Sequence, residues 1–70
     1  MITLTTPEGT VTAEADVQLA GKWGELLYGD EWDALPVFVE HTTMYALLDD
    51  IHEIRDGNIP GYSITETADL

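Results

Sequence analysis

The segment 47–57, LLDDIHEIRDG, comes closest to a metal or catalytic site. Residues 52–56, HEIRD, differ by one residue from H-E-x-x-H, in which two histidines one helical turn apart bind zinc. His52 and Asp56 keep a spacing that suits two zinc ligands, but a third ligand is needed. The only other histidine, His41, lies about three helical turns away. This incomplete ligand set predicts no metal site and no cofactor.

Other catalytic chemistries have little support in the sequence. The chain has no cysteine, and its only serine, Ser63, is not part of the G-x-S-x-G turn of serine hydrolases. It also lacks the glycine-rich loops that bind phosphate and the basic patches that bind nucleic acid. Carboxylates are numerous, but nothing marks a pocket that would make one a general acid. We therefore predict that the protein is not an enzyme.

The charge of the chain is its most unusual property. Fourteen Asp and Glu residues are accompanied by only two bases, Lys22 and Arg55, which gives a formal net charge of -12. Such a body is repelled by nucleic acid and by anionic lipid, and it attracts positively charged proteins. We expect a basic protein surface as the partner, most simply that of a nucleic-acid-binding complex, and no direct binding to nucleic acid or membrane.

The acids of segment 47–57 fall on one side of a predicted helix at residues 43–56. An apolar stripe at helical spacing defines this helix, and it consists of Met44, Leu47, Leu48, Ile51 and Ile54. With a turn of about 100° per residue, the acids lie opposite the stripe; they are Asp49, Asp50, Glu53 and Asp56. Like charges one turn apart destabilise a helix by about 0.2–0.5 kcal/mol per pair, so we predict that this face binds a partner.

A second acidic cluster surrounds Trp32, and its members are Glu25, Asp30, Glu31 and Asp33. Trp32 allows two interpretations. It is either a core anchor or an exposed aromatic in an acidic rim, which is the composition of an interface hot spot. We include Trp32 and its four acidic neighbours in the predicted partner-binding surface.

The elements that position these residues predict one domain over residues 1–70. Period-two alternation predicts strands, and an N-terminal hairpin is expected from the first two of them; the strands are at 1–6, 10–19, 37–40 and 62–67. Asp30 is placed to cap a short helix that ends before Pro36, and Thr42 or Thr43 to cap the 43–56 helix, which Gly57 ends. The predicted fold class is α+β: an antiparallel sheet of three or four strands with one principal amphipathic helix.

In size, charge, lack of cysteine and pattern of elements, the chain resembles the small acidic phage inhibitors of host defence, the anti-CRISPR and anti-restriction proteins. Some members of that class are DNA mimics. The resemblance implies an inhibitor that docks on a basic, nucleic-acid-binding surface of its target. It leaves open whether the carboxylates mimic phosphates or only dock electrostatically.

Two other interpretations remain open. A salt-adapted protein also carries many acids and few lysines, but its acids should be spread evenly, whereas nine of these fourteen lie between Glu25 and Asp56. The chain could also be a small interaction module, such as an antitoxin or a complex subunit. The lack of cysteine and of a recognisable signal peptide leads us to expect the cytoplasm, that of a host cell if a phage encodes the protein.

Overall fold

The computed structural model describes residues 1–67, and this part of the chain forms three strands and three helices. In chain order they are β1 (Ile2–Thr6), β2 (Gly9–Ala13), α1 (Asp16–Tyr28), α2 (Glu31–Ala34), α3 (Val37–Arg55) and β3 (Ser63–Glu66). The strands form one antiparallel sheet in the order β2-β1-β3. The predicted α+β class, antiparallel sheet, N-terminal hairpin and principal helix are confirmed, as is the short helix after Asp30.

The sheet buries one face and leaves the other uncovered. Leu4 pairs with Val11 on one side and with Ile64 on the other, and it is fully buried. Because successive side chains of a strand point to opposite faces, the alternate residues lie on the outer face. That face carries hydroxyl groups from all three strands, those of Thr3, Thr5, Thr10, Thr12, Ser63 and Thr65. The predicted strand at 10–19 would also place Asp16 on this face, beside Thr12, but Asp16 begins α1.

The predicted strand at 10–19 is half as long as expected. β2 ends at Ala13, and α1 begins at Asp16. The period-two pattern of apolar residues continues beyond Ala13 only by coincidence. Leu19 also fits a helical stripe with Ala20 and Trp23, and all three are buried. Val17, which the strand interpretation placed on the buried face, is instead 57% exposed on α1.

Helix α3 begins at Val37, six residues before its predicted start, so the predicted strand at 37–40 is wrong. Pro36 occupies the N-cap with φ -56° and ψ 145°. Thr42 and Thr43 therefore lie inside the helix instead of capping it, and their hydroxyls donate to carbonyls one turn earlier. The predicted stop is confirmed, with Gly57 in the left-handed region at φ +81°. Among residues 1–67, no helix has the length and apolar character needed to cross a membrane.

The core lies between the inner sheet face and the helices. Its buried apolar residues are Ile2, Leu4, Ala13, Leu19, Ala20, Trp23, Trp32, Leu47, Ile51 and Ile54. Three hydrogen bonds from one arginine link α1, α3 and β3 at the surface. Arg55 at the end of α3 donates two hydrogen bonds to Asp16 of α1, at 2.9 and 3.0 Å, and one to Glu66 of β3, at 2.8 Å.

Candidate protein-binding surface

The acids predicted to form one face of α3 are all exposed. Three of them, Asp49, Asp50 and Glu53, lie within the helix, and Asp56 is its C-cap residue. Within residues 1–67, none of the four forms an ion pair. Among the described residues, the one polar contact of a side chain in this group is the hydrogen bond that Glu53 Oε2 accepts from the side-chain amide of Asn58, at 2.7 Å.

This placement is unfavourable for the helix in two ways. Asp49 and Glu53 are like charges one turn apart, which repel each other. Glu53 and Asp56 also lie at the C-terminal end of α3, where the helix dipole favours cations. Both effects destabilise α3, so helix stability does not explain why acids occupy this face.

The second acidic cluster is held by a buried tryptophan. Trp32 is 4% exposed, and its ring stacks on Tyr28 with centroids 5.7 Å apart. Of the two interpretations of Trp32, the core anchor is therefore confirmed and the exposed hot-spot aromatic is wrong. The acidic neighbours of Trp32 remain exposed, namely Glu25, Asp30, Glu31 and Asp33. They lie on α1, α2 and the turn between them, so the structure places them on different elements from the acids of α3.

The titratable groups at the α1–α3 contact form hydrogen bonds and ion pairs with each other. The hydrogen bonds from Arg55 lower the pKa of Asp16 below its ordinary value of 3.8 and raise the pKa of Arg55. His52 Nε2 lies 3.9 Å from the same Asp16 carboxylate. One of the two basic side chains is thus neutralised within the protein. The other, Lys22, is exposed on α1 and forms no ion pair with any described residue.

The geometry of the HEIRD segment does not complete a ligand set. His41 and His52 both lie on α3, eleven residues and therefore about 16 Å apart along the axis. In the part of the chain that the structure describes, no three His, Cys, Asp or Glu residues are grouped so that they could hold a metal ion.

An apolar groove that no sequence pattern predicts lies between the first turn of α1 and the middle of α3. It has a volume of about 210 Å³, and its lining residues are Val17, His41, Met44, Tyr45 and Leu48. Tyr45 is 70% exposed, and Leu48 is only partly buried. The seven-residue spacing of Phe38 and Tyr45, which is two turns of one helix, is a sequence signal for the exposed face of α3 beside this groove. A strand at 37–40 conceals this signal, because it separates Phe38 from the helix.

The groove borders the acidic face on the same helix. With about 100° per residue, four side chains fall within about 40° of each other on the outward side of α3; they are Phe38, Tyr45, Asp49 and Asp56. We call these four residues the outward stripe of α3. Its N-terminal half is aromatic and its C-terminal half is acidic, and Asp49 lies one turn, about 6 Å, beyond Tyr45.

Comparison with known proteins gave no relative from which a function could be transferred. No protein-family model, no curated protein and no solved structure matches the chain.

Proposed function

We propose that the protein is an acidic inhibitor that binds a basic, nucleic-acid-binding surface of another protein or complex. Its carboxylates take the place of nucleic-acid phosphates, as in the DNA-mimic class of anti-CRISPR and anti-restriction proteins. The observation that carries the proposal is the face formed by Asp49, Asp50, Glu53 and Asp56, which is exposed and has no ion pair among the described residues.

The charge density of this face supports the proposal. Residues 49–56 rise by about 10 Å along the helix axis and present four carboxylates. The same length of B-DNA carries about six backbone charges, at one per about 1.7 Å. The face is therefore of the same order of charge density as a duplex. Because the protein carries a net charge of -12, long-range electrostatic attraction would steer it towards rows of Lys and Arg.

The apolar surface favours a docking protein over a salt-adapted surface. Phe38 is 80% exposed and Tyr45 70% exposed on the stripe that also carries Asp49 and Asp56. Large apolar groups are no help to solubility, and aromatic residues are enriched where proteins bind each other. An acidic surface that serves solvation alone does not require these aromatics next to the acids.

The test is displacement of labelled duplex DNA from a panel of purified targets, namely CRISPR effector complexes and restriction enzymes, at physiological salt. Poly-glutamate of equal charge is the control for non-specific competition. We expect the protein to displace the duplex from at least one target at concentrations where poly-glutamate does not. Failure to displace it from every target, or displacement no better than that by poly-glutamate, would contradict the proposal.

A further inference from the structure

We infer that the apolar groove between α1 and α3 is the anchor site for a basic amphipathic helix of the partner. Its apolar side chain would enter the groove, and its Lys or Arg residues would lie over Asp49 and Asp56. This inference rests on the proposed function, since it names the part of a protein partner that the surface would recognise.

The groove is large enough for one anchoring side chain. An apolar cavity of about 150 Å³ holds a benzene molecule, so a groove of about 210 Å³ accommodates one aromatic or branched aliphatic side chain. Its walls are two helices, with Val17 on α1 opposite Met44, Tyr45 and Leu48 on α3. Recognition of an amphipathic helix in an apolar groove uses this arrangement, with anchors at i, i+3, i+4 and i+7.

The charged residues beside the groove determine whether the bound helix should be basic or acidic. Asp49 lies one turn beyond Tyr45, and Asp56 lies about two turns beyond Asp49 on the same outward stripe. A helix lying along α3 with an apolar residue in the groove would place residues about one and three turns further along its axis over these carboxylates. Lys or Arg at those positions would be attracted to them, whereas Asp or Glu would be repelled.

The same charges disfavour a second copy of the chain as the occupant. A symmetric dimer brings the same patch of both copies together, so Asp49 and Asp56 of one copy would lie near those of the other. Each copy also carries a net charge of -12, which opposes close approach. A basic partner gains from the charges that a second copy would have to overcome.

The experiment uses a synthetic 18-residue peptide designed as a helix, with a Leu stripe on one face and Lys and Arg on the others. Two peptides serve as controls: a scrambled version of the same composition, and a Lys/Gln peptide of equal charge without apolar residues. Binding is measured by isothermal titration calorimetry at physiological salt, and contacts are mapped by amide chemical shifts. We expect the amphipathic peptide to bind at least about tenfold more tightly than either control and to shift the resonances of Val17, Tyr45 and Leu48.

Variants of the protein test whether the amphipathic peptide binds in the groove. Tyr45→Ser removes an exposed aromatic from the groove and should weaken binding of the amphipathic peptide by at least about tenfold, as for an anchor residue. Val39→Ser is the matched control, because Val39 is exposed on another side of α3 and is absent from the groove lining. It should leave the affinity unchanged within about twofold, and circular dichroism melts should show both variants folded.

The outcomes separate this inference from the proposed function. If all three peptides bind equally and Tyr45→Ser has no effect while duplex displacement succeeds, the groove inference is wrong and the proposed function stands. If the amphipathic peptide binds in the groove but no duplex is displaced, the proposed function is wrong and the groove site stands. A dimer that forms with rising concentration and is lost in Tyr45→Ser would show that a second copy fills the groove, and would overturn the inference.

Discussion

The indole of Trp32 packs against Gly24 so closely that a Cβ on Gly24 would lie 2.5 Å from the ring. Because Gly24 has no side chain, the indole of Trp32 has room to pack there, and α2 can dock on α1. The acids of α2, Glu31 and Asp33, keep their places on the surface because the tryptophan between them occupies the core. Burial of Trp32 thus holds the neighbouring acids of α2 in position on the surface.

Replacing Gly24 by alanine should destabilise the protein. Overpacking a core typically costs about 1–3 kcal/mol, and the better helix propensity of alanine offsets about 1 kcal/mol of this. Gly21→Ala is the matched control on the same helix, since nothing lies within 4 Å of a Cβ at that position. It should raise the free energy of unfolding by about 0.5–1 kcal/mol. Urea unfolding measures both, and an equal change in the two variants would contradict the packing explanation.

The triple variant Asp49→Asn, Glu53→Gln, Asp56→Asn should fold as well as the parent or slightly better. The substitutions relieve repulsion along α3 by about 0.2–0.5 kcal/mol per like-charged pair, and Glu53→Gln keeps a side-chain oxygen that can accept the hydrogen bond from Asn58. Ile51→Ala, at a fully buried position of the same helix, should instead cost about 2–5 kcal/mol. The measurement is a thermal and urea melt of each variant, and unfolding of the triple variant would show that the acids support the fold.

The ion pair between Asp16 and Arg55 predicts a loss of stability in acid. Its hydrogen bonds lower the pKa of Asp16, so the carboxylate stabilises the folded state at pH values above the unfolded pKa of 3.8. This contribution disappears as the pH falls through the lower folded-state pKa. Because both side chains are partly exposed, we expect at most about 1 kcal/mol. Asp16→Asn should therefore be less stable than the parent at pH 7, and the difference should shrink below pH 3.8.

The control for this titration is Asp50→Asn, at a position without an ion pair in the described part of the chain. Free energies of unfolding at pH 3 to 7 are compared for the parent and both variants. A gap between the parent and Asp16→Asn that stays constant over this range would show that the charge of Asp16 does not stabilise the fold.

A salt series distinguishes an acidic docking protein from a salt-adapted one. The Debye length falls from about 8 Å at 0.15 M salt to about 3 Å at 1 M, so repulsion between exposed acids is strongly screened at the higher concentration. We expect the protein to be folded at 0.15 M salt, with a modest gain in melting temperature at 1 M. Unfolding in dilute buffer and folding only near molar salt would favour the salt-adapted interpretation.

The sequence predicted the elements whose patterns were local and unambiguous. The hairpin follows from alternating residues such as Ile2 and Leu4, and Gly57 marks the end of α3 because helices commonly end at a glycine with positive φ. The end of β2 is not predictable from the pattern, because Leu19 satisfies both the strand and the helix period. The start of α3 is not predictable either, because Val37 and Val39 are typical of strands, although here they are exposed on a helix.

The candidate site was predictable only where it lies on one element. The acids of α3 share a face because of their spacing, which the sequence contains. The groove joins Val17 to Tyr45 across the α1–α3 contact, and no local pattern indicates a contact between residues that far apart. The burial of Trp32 also depends on a tertiary contact, that with Gly24, while its charged neighbours suggested the surface.

Binding of the α3 acids to a basic nucleic-acid-binding surface is tested by the association rate with a target identified by duplex displacement. The rate is measured from 0.05 to 0.5 M salt for the parent and the triple variant. We predict that the parent associates faster at low salt and that its rate falls steeply with ionic strength, whereas the variant associates more slowly with a flatter dependence. Equal rates and equal salt slopes for the two proteins would contradict the claim and show that this face is only a solvated surface.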